Sequence, residues 1–220
     1  MKRTENKVKG PARWLLSFCL LALLPLMASC SEDDGQEEEY PNWPATNEAY
    51  FTEKFQEYYN SQSDKRLVLP KLSLAATPVG AQADNPEDYI LVDVISKGTG
   101  KSSPLYSDSV ACHIKGNLLP SRSYPQGFPF AYSYEGEFDE ATSSPATYLV
   151  MGTVEGFATA LQYMHRGDHW RVIIPYQMGY DTAGSGTTIP GYSTLIYEIR
   201  LVDFWSKTRG DRYLEELLSE

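Results

Sequence analysis

Between Tyr89 and Phe204 the spacing of apolar residues changes period twice, and few architectures satisfy both changes. The stretch opens as a strand, Tyr89-Ile90-Leu91-Val92-Asp93-Val94-Ile95, which stops at the turn Lys97-Gly98-Thr99-Gly100. From Ser109 to Gly116, Val110, Cys112 and Ile114 alternate with Ala111, His113 and Lys115, the period of two expected of a strand with one apolar face. A loop rich in Pro, Ser, Gly and Tyr follows from Leu119 to Ser144, then a strand at Ala146 to Met151. There the period lengthens. Val154, Phe157, Leu161 and Met164 stand three and four residues apart, which predicts one short helix with a single apolar stripe, ended by Gly167. Alternation returns at His169 to Pro175, with Trp170, Val172 and Ile174 on one face, and at Thr194 to Phe204, with Leu195, Tyr197, Ile199 and Leu201. One short amphipathic helix set among alternating strands predicts an α+β fold, an antiparallel β-sheet curled around that helix.

Upstream, Tyr50, Phe51, Phe55, Tyr58 and Tyr59 recur at helical spacing behind a cap at Thr46 or Asn47, so an N-terminal helix is expected over Asn47 to Asn60. The segment from Arg66 to Asp88, broken by Pro70, Pro78, Gly80 and Pro86, reads as a strand or extended arm followed by a linker.

The amino terminus carries Lys2, Arg3, Lys7, Lys9 and Arg13 ahead of an apolar run from Trp14 to Met27, which Pro25 interrupts. It is shorter than the roughly 20 apolar residues of a membrane span, and small residues follow it, so it reads as a signal peptide. Leu26-Met27-Ala28-Ser29-Cys30 resembles a lipobox, which makes Cys30 the expected site of lipidation and of a lipid anchor to membrane. The next nine residues, Ser31 to Glu39, hold six acids and no base. Such a run cannot bury a core and reads as a solvated tether. It also resembles the acidic export signal of lipoproteins of the Bacteroidetes, and a plain spacer is the other reading. The expected organisation is a signal peptide over 1–29, a lipidated acidic tether over 30–45, the N-terminal helix and linker over 46–87, a sheet domain over 88–206 that folds by itself, and a tail over 207–220. The expected location is the cell envelope, at the outer membrane and on its surface.

Charge narrows the partners. Of 19 Lys+Arg and 29 Asp+Glu, residues 1–29 hold five bases and one acid, which leaves 14 against 28 and a net charge near −14. Nucleic acid is excluded as a partner on that balance. With Cys19 in the signal peptide and Cys30 lipidated, Cys112 is left without a mate for a disulfide. His165, Asp168 and His169 are close in sequence but lie across Gly167 with no fourth ligand nearby, so a helix-end turn is expected there and no metal site. Gly184 and Gly186 lack the lysine of a phosphate loop and read as a rim loop. No cofactor is called for, and no feature sets an oligomeric state.

Five short motifs, in order, carry a family resemblance: His113-Ile114-Lys115-Gly116, Thr153-Val154-Glu155-Gly156-Phe157, Met164 with Gly167-Asp168, Ile174-Pro175 with Gly179-Tyr180, and Ile189-Pro190 leading to Ser193-Thr194-Leu195-Ile196-Tyr197-Glu198-Ile199. Over about Asp88 to Ser206 the chain resembles an FKBP-type peptidyl-prolyl cis-trans isomerase domain. The resemblance implies an enzyme that rotates X-Pro bonds of proline-containing polypeptides, and it assigns roles. Phe157 takes the aromatic floor of the proline pocket, usually a tryptophan. Thr153 and Val154 take the place of a backbone N–H donor and an apolar wall, and Tyr180 that of a hydroxyl donor to a peptide carbonyl. Ile189 and Tyr197 match further walls, and Phe130 an aromatic after the first long loop. Ile114 stands where a tyrosine is usual, and Ala131 follows Phe130 where an aspartate is usual, unless Phe138-Asp139 is the matching pair. Ala146 replaces a pocket aromatic and Asp181 a glycine. The implied activity is isomerisation during folding of exported proteins; the alternative is an FKBP-fold surface lipoprotein that binds peptide or glycan without catalysis.

Overall fold

The computed structural model describes residues 38–74 and 85–206. The signal peptide, Cys30, most of the acidic tether, part of the linker and the tail lie outside the described residues. Among the described residues two α-helices and seven strands follow one another as α1 (Trp43–Asn60), β1 (Arg66–Pro70), β2 (Tyr89–Ser96), β3 (Ser109–Asn117), β4 (Pro129–Tyr132), β5 (Ala146–Leu149), α2 (Glu155–Tyr163), β6 (His169–Ile174) and β7 (Leu195–Trp205). All strand pairs are antiparallel, in the order β1-β2-β6-β7-β3-β4, with β5 also on β3. The sheet is the one the alternating segments predict, with two additions. Arg66–Pro70 joins it as an edge strand, and Pro129–Tyr132 forms a strand inside what reads as loop. β4 and β5 pair with opposite ends of β3, at Lys115–Asn117 and at Ser109–Cys112, so they act as one edge strand interrupted by the excursion through residues 133–145.

α2 lies across the inner face of the sheet. Ile90, Val92, Val94, Val110, Cys112, Ile114, Trp170, Val172, Ile174, Leu195, Ile199 and Leu201 meet Phe157, Ala158, Ala160, Leu161 and Met164 there in one cluster. The helix was expected to show a single apolar stripe. Instead every residue from Gly156 to Leu161 is buried. Its approach to the sheet needs a glycine: a Cβ on Gly156 would stand 2.2 Å from Cγ2 of Ile174. Cys112 is buried and free, and burial pushes its thiol up to about 12, so it is an inert core residue.

α1 covers the outer face. It starts at Trp43, ahead of the expected cap, with Asn42 in the left-handed region (φ 51°) before it and Pro44 in its first turn, where proline costs nothing. Its buried residues, Trp43, Asn47, Phe51, Phe55 and Tyr58, fall four, four, four and three apart on one side of the helix. Tyr59, expected on that stripe, is exposed. Phe51, Phe55 and Tyr58 form a second core with Tyr89, Leu91 and Ile173, and the Tyr58 hydroxyl donates to Asp93 Oδ2 at 2.7 Å. This second core explains why β2 is the unbroken run Tyr-Ile-Leu-Val rather than an alternation: both of its faces are covered. Glu39, counted in the tether, is also fixed, accepting from Ser121 Oγ at 2.6 Å and from Ser123 N at 2.9 Å. These bonds hold its carboxyl below the usual carboxylate range. Among the described residues no helix is long and apolar enough to cross a membrane.

Candidate active site

A cavity of about 380 Å³ opens at the start of α2, lined by Ile114, Ala131, Tyr148, Gly152, Thr153, Val154, Phe157, Tyr180 and Tyr197. Five residues singled out from sequence therefore meet at one place: Thr153, Val154, Phe157, Tyr180 and Tyr197. Phe157 is 3% exposed, set by the first turn of α2, and it is the deepest ring. Tyr197 of β7 packs on it with centroids 4.8 Å apart and planes at 61°, and Tyr148 of β5 lies on its other side at 6.0 Å. Such tilted aromatic pairs each contribute roughly 0.5–1.5 kcal/mol beyond their burial, so the floor is stiff. Burial, and then the neighbouring hydroxyls of Tyr180 and Tyr148, push the Tyr197 phenol up, so it is neutral at any physiological pH.

Phe130 and Ile189 stand back from the cavity. The rings of Phe130 and Tyr197 meet at right angles with centroids 5.2 Å apart, so Phe130 supports a wall rather than forming one. That contact is possible because residue 116 is glycine: a Cβ there would stand 2.8 Å from Phe130 Cζ and 2.9 Å from Tyr197 Cε1. Ile189 is buried in the 181–194 loop and exchanges backbone hydrogen bonds with Ser185. Between the two candidate Phe pairs, Phe130-Ala131 is the one at the cavity. Phe138 lies on the outer face instead, its ring 4.8 Å from His113 and 4.3 Å from the Arg200 guanidinium.

Tyr148 was not expected. The resemblance places the altered pocket position at Ala146, two residues earlier, which pairs with Cys112; Tyr148 pairs with Val110 on the same inward-pointing face. The signal was the alternation itself, since Tyr148 follows Ala146 by two and must share its face. At the mouth, the Thr153 N–H and hydroxyl both turn back to the Val150 carbonyl, at 3.1 and 2.8 Å. Among the described residues nothing accepts from the N–H of Val154, the residue that caps α2 and lines the cavity. Asp181, after Tyr180, has φ 54°, a left-handed conformation that favours the glycine usual there and that aspartate tolerates at some cost.

The residues set aside as a helix-end turn behave as one. Asp168, almost fully buried, accepts from the backbone N–H of Gly98 at 2.7 Å and of His165 at 2.8 Å, while His169 turns to the outer face and bonds Glu198 at 2.6 Å. Among the described residues no cluster of His, Cys, Asp or Glu has the arrangement of a metal site.

Residues 100–202, from the turn after β2 to the far end of β7, match the family model for the FKBP-type peptidyl-prolyl cis-trans isomerase. The chain carries an FKBP-type domain. A macrophage infectivity potentiator of Trypanosoma cruzi is 32% identical over 123 residues, 56% of each chain, and an FKBP-type 22 kDa peptidyl-prolyl cis-trans isomerase of Escherichia coli is 30% identical over 120 residues, 54% of this chain and 52% of that one. The chain thus spans just over half the length of these relatives. The crystal structure of FkpA from Escherichia coli superposes with a TM-score of 0.53 at 22% identity, over 75% of this chain and 62% of that one, a likeness of fold. α1, β1 and β2 lie outside the matched 100–202 segment although β1 and β2 belong to the same sheet.

Proposed function

We propose that this protein is a peptidyl-prolyl cis-trans isomerase of the cell envelope, acting on X-Pro bonds of exported proteins. The carrying observation is the aromatic, largely apolar cavity at the head of α2, with Phe157 as floor and Tyr148 and Tyr197 as walls. Rotating an X-Pro bond breaks amide resonance against a barrier of about 18–20 kcal/mol. The twisted amide has lost part of its charge separation, so a cavity that strips water from the prolyl group stabilises it over the planar ground state. Removing about 5–6 kcal/mol would speed exchange by roughly four orders of magnitude. In this reading the prolyl ring sits on Phe157, the Val154 N–H and the Tyr180 hydroxyl donate to carbonyls of the peptide, and no bond is made or cut.

The test is a proline-limited refolding assay with the full chain. Acceleration of the slow phase supports the proposal. No acceleration with any X-Pro substrate overturns it in favour of a binding module, a reading to which the lining itself lends weight, because Ile114 and Ala131 both border the cavity in place of the usual tyrosine and aspartate. The envelope part of the proposal rests on the Leu26 to Cys30 motif. Cys30→Ala should leave the protein unlipidated and extractable without detergent, and continued tight membrane association would place the anchor elsewhere.

A further inference from the structure

The helix outside the family match is bonded to the loop that leads back to the cavity. Asn47 of α1 is fully buried; its Oδ1 accepts from the backbone N–H of Thr194 at 2.7 Å and its Nδ2 donates to the Trp43 carbonyl at 2.8 Å. One turn earlier, Trp43 Nε1 donates to Ser193 Oγ at 2.9 Å, and the Ser193 hydroxyl in turn donates to the Pro190 carbonyl at 2.6 Å. Both ends of this clamp are buried, so each bond is protected from competition with water. Residues 190–194 are thereby fixed, and they hold the loop that leads back to Tyr180. The Tyr192 N–H donates to the Asp181 carbonyl at 2.9 Å, Ser185 and Ile189 exchange hydrogen bonds, and the Gly184 N–H donates to the Tyr180 carbonyl at 3.0 Å. A second strut runs outside: Tyr176 and Tyr192 pack ring on ring at 5.0 Å, and the Tyr176 carbonyl accepts from the Asp181 N–H at 2.8 Å. Asp181 and Tyr192 both have positive φ without being glycine, so this loop keeps its shape only because its surroundings impose it.

We propose that Asn47 and Trp43 are positioning residues of the isomerase site, acting through the 181–194 loop to hold Tyr180 over the cavity. The proposal rests on the isomerase reading for its kinetic consequence but not for its structural one. α1 is then a working part of the site and more than a leader between the tether and the sheet.

The experiment compares the full chain with Asn47→Ala, Tyr180→Phe and the double variant, reading kcat/KM on an X-Pro peptide together with amide hydrogen exchange. Asn47→Ala removes two hydrogen bonds and strands the Thr194 N–H, so kcat/KM should fall about tenfold. The amides of Gly184, Ile189, Tyr192 and Thr194 should exchange about tenfold faster, while those of Val172 and Ile199 in the sheet hold. Because Asn47 acts through Tyr180, the double variant should lose no more than the more damaged of the two single variants. Losses that multiply, or loop amides within twofold of the parent, overturn the proposal. If the alanine variant does not fold, Trp43→Phe carries the same test, since it keeps a buried aromatic ring while losing the Nε1–H together with part of the indole; about a threefold loss is expected, on the order of one hydrogen bond. If the parent itself shows no isomerase rate, the isomerase reading falls, and the exchange measurement alone supports or overturns the clamp.

Discussion

The two faces of the sheet are written by alternate residues of the same strands and do opposite things. On the inner face, Val172, Ile174, Tyr197 and Ile199 are buried under α2, and the cavity at the start of that helix is walled by aromatic rings. On the outer face, the residues between them are His169, Arg171, Glu198 and Arg200, where His169 bonds Glu198 at 2.6 Å, Arg200 approaches Glu198 at 3.5 Å, and Arg200 and Lys115 lie over the rings of Phe138 and Tyr134. Where α1 crosses, Tyr89, Leu91 and Ile173 turn this face apolar. A dry face with a gap can desolvate a ligand, and a wet face is useful for attaching other parts of the chain. The FKBP-type pocket belongs to the first and the helical extension to the second, joined at residues 190–194.

Four experiments would break or sharpen that contrast. The largest effect should come from removing the outer cover. A fragment restricted to 88–206 lacks α1 and β1 and would bare Leu91, Ile173 and the edge of β2. Although the sequence reading has this stretch folding by itself, a loss of the cooperative thermal transition is expected; a sharp transition near that of the full chain would show that the second core is dispensable. Next, Phe157→Ala should destabilise by about 3–5 kcal/mol in denaturant unfolding, since a buried ring leaves a cavity, and a much smaller value would mean the inner face can collapse around it. Tyr180→Phe should leave stability near that of the parent while peptide affinity or isomerase rate falls by the equivalent of about 0.5–1.5 kcal/mol. Equal rates would remove Tyr180 from the mechanism.

The mildest expectation is a pH trend confined to the outer face. The hydrogen bond from His169, outweighing burial, holds the Glu198 carboxyl below its ordinary value, so its stabilising contribution is present above the unfolded pKa and is lost as pH falls through the lower folded one. His113, pushed down by burial and then by Arg200, acts in the same direction at higher pH: its contribution is present above the ordinary histidine range and declines as acid charges the unfolded chain first. Stability should therefore fall in two steps on acidification, with Glu198→Gln removing the lower one; an unchanged profile in that variant would assign the acid sensitivity elsewhere.

The sequence by itself determined the inner half of this molecule. Residues of strands and of α2 announce their burial by spacing, because a pleat repeats at two and a helix near 3.6 whatever lies beside them, and Thr153, Val154, Phe157, Tyr180 and Tyr197 could be placed at one site through motifs whose order is fixed along the chain. What only the tertiary structure decided depends on two distant segments meeting. Phe130 recedes because Gly116 lets it stand behind Tyr197, and Phe138 goes to the outer face because the 133–145 excursion crosses the sheet edge. Asn47 shows the limit most clearly. From sequence it is an ordinary polar residue suited to cap a helix, and its actual partner, the Thr194 backbone, is 147 residues away. A hydrogen bond of that kind leaves no periodic trace, since a buried amide satisfied at long range has the same letters around it as an exposed one.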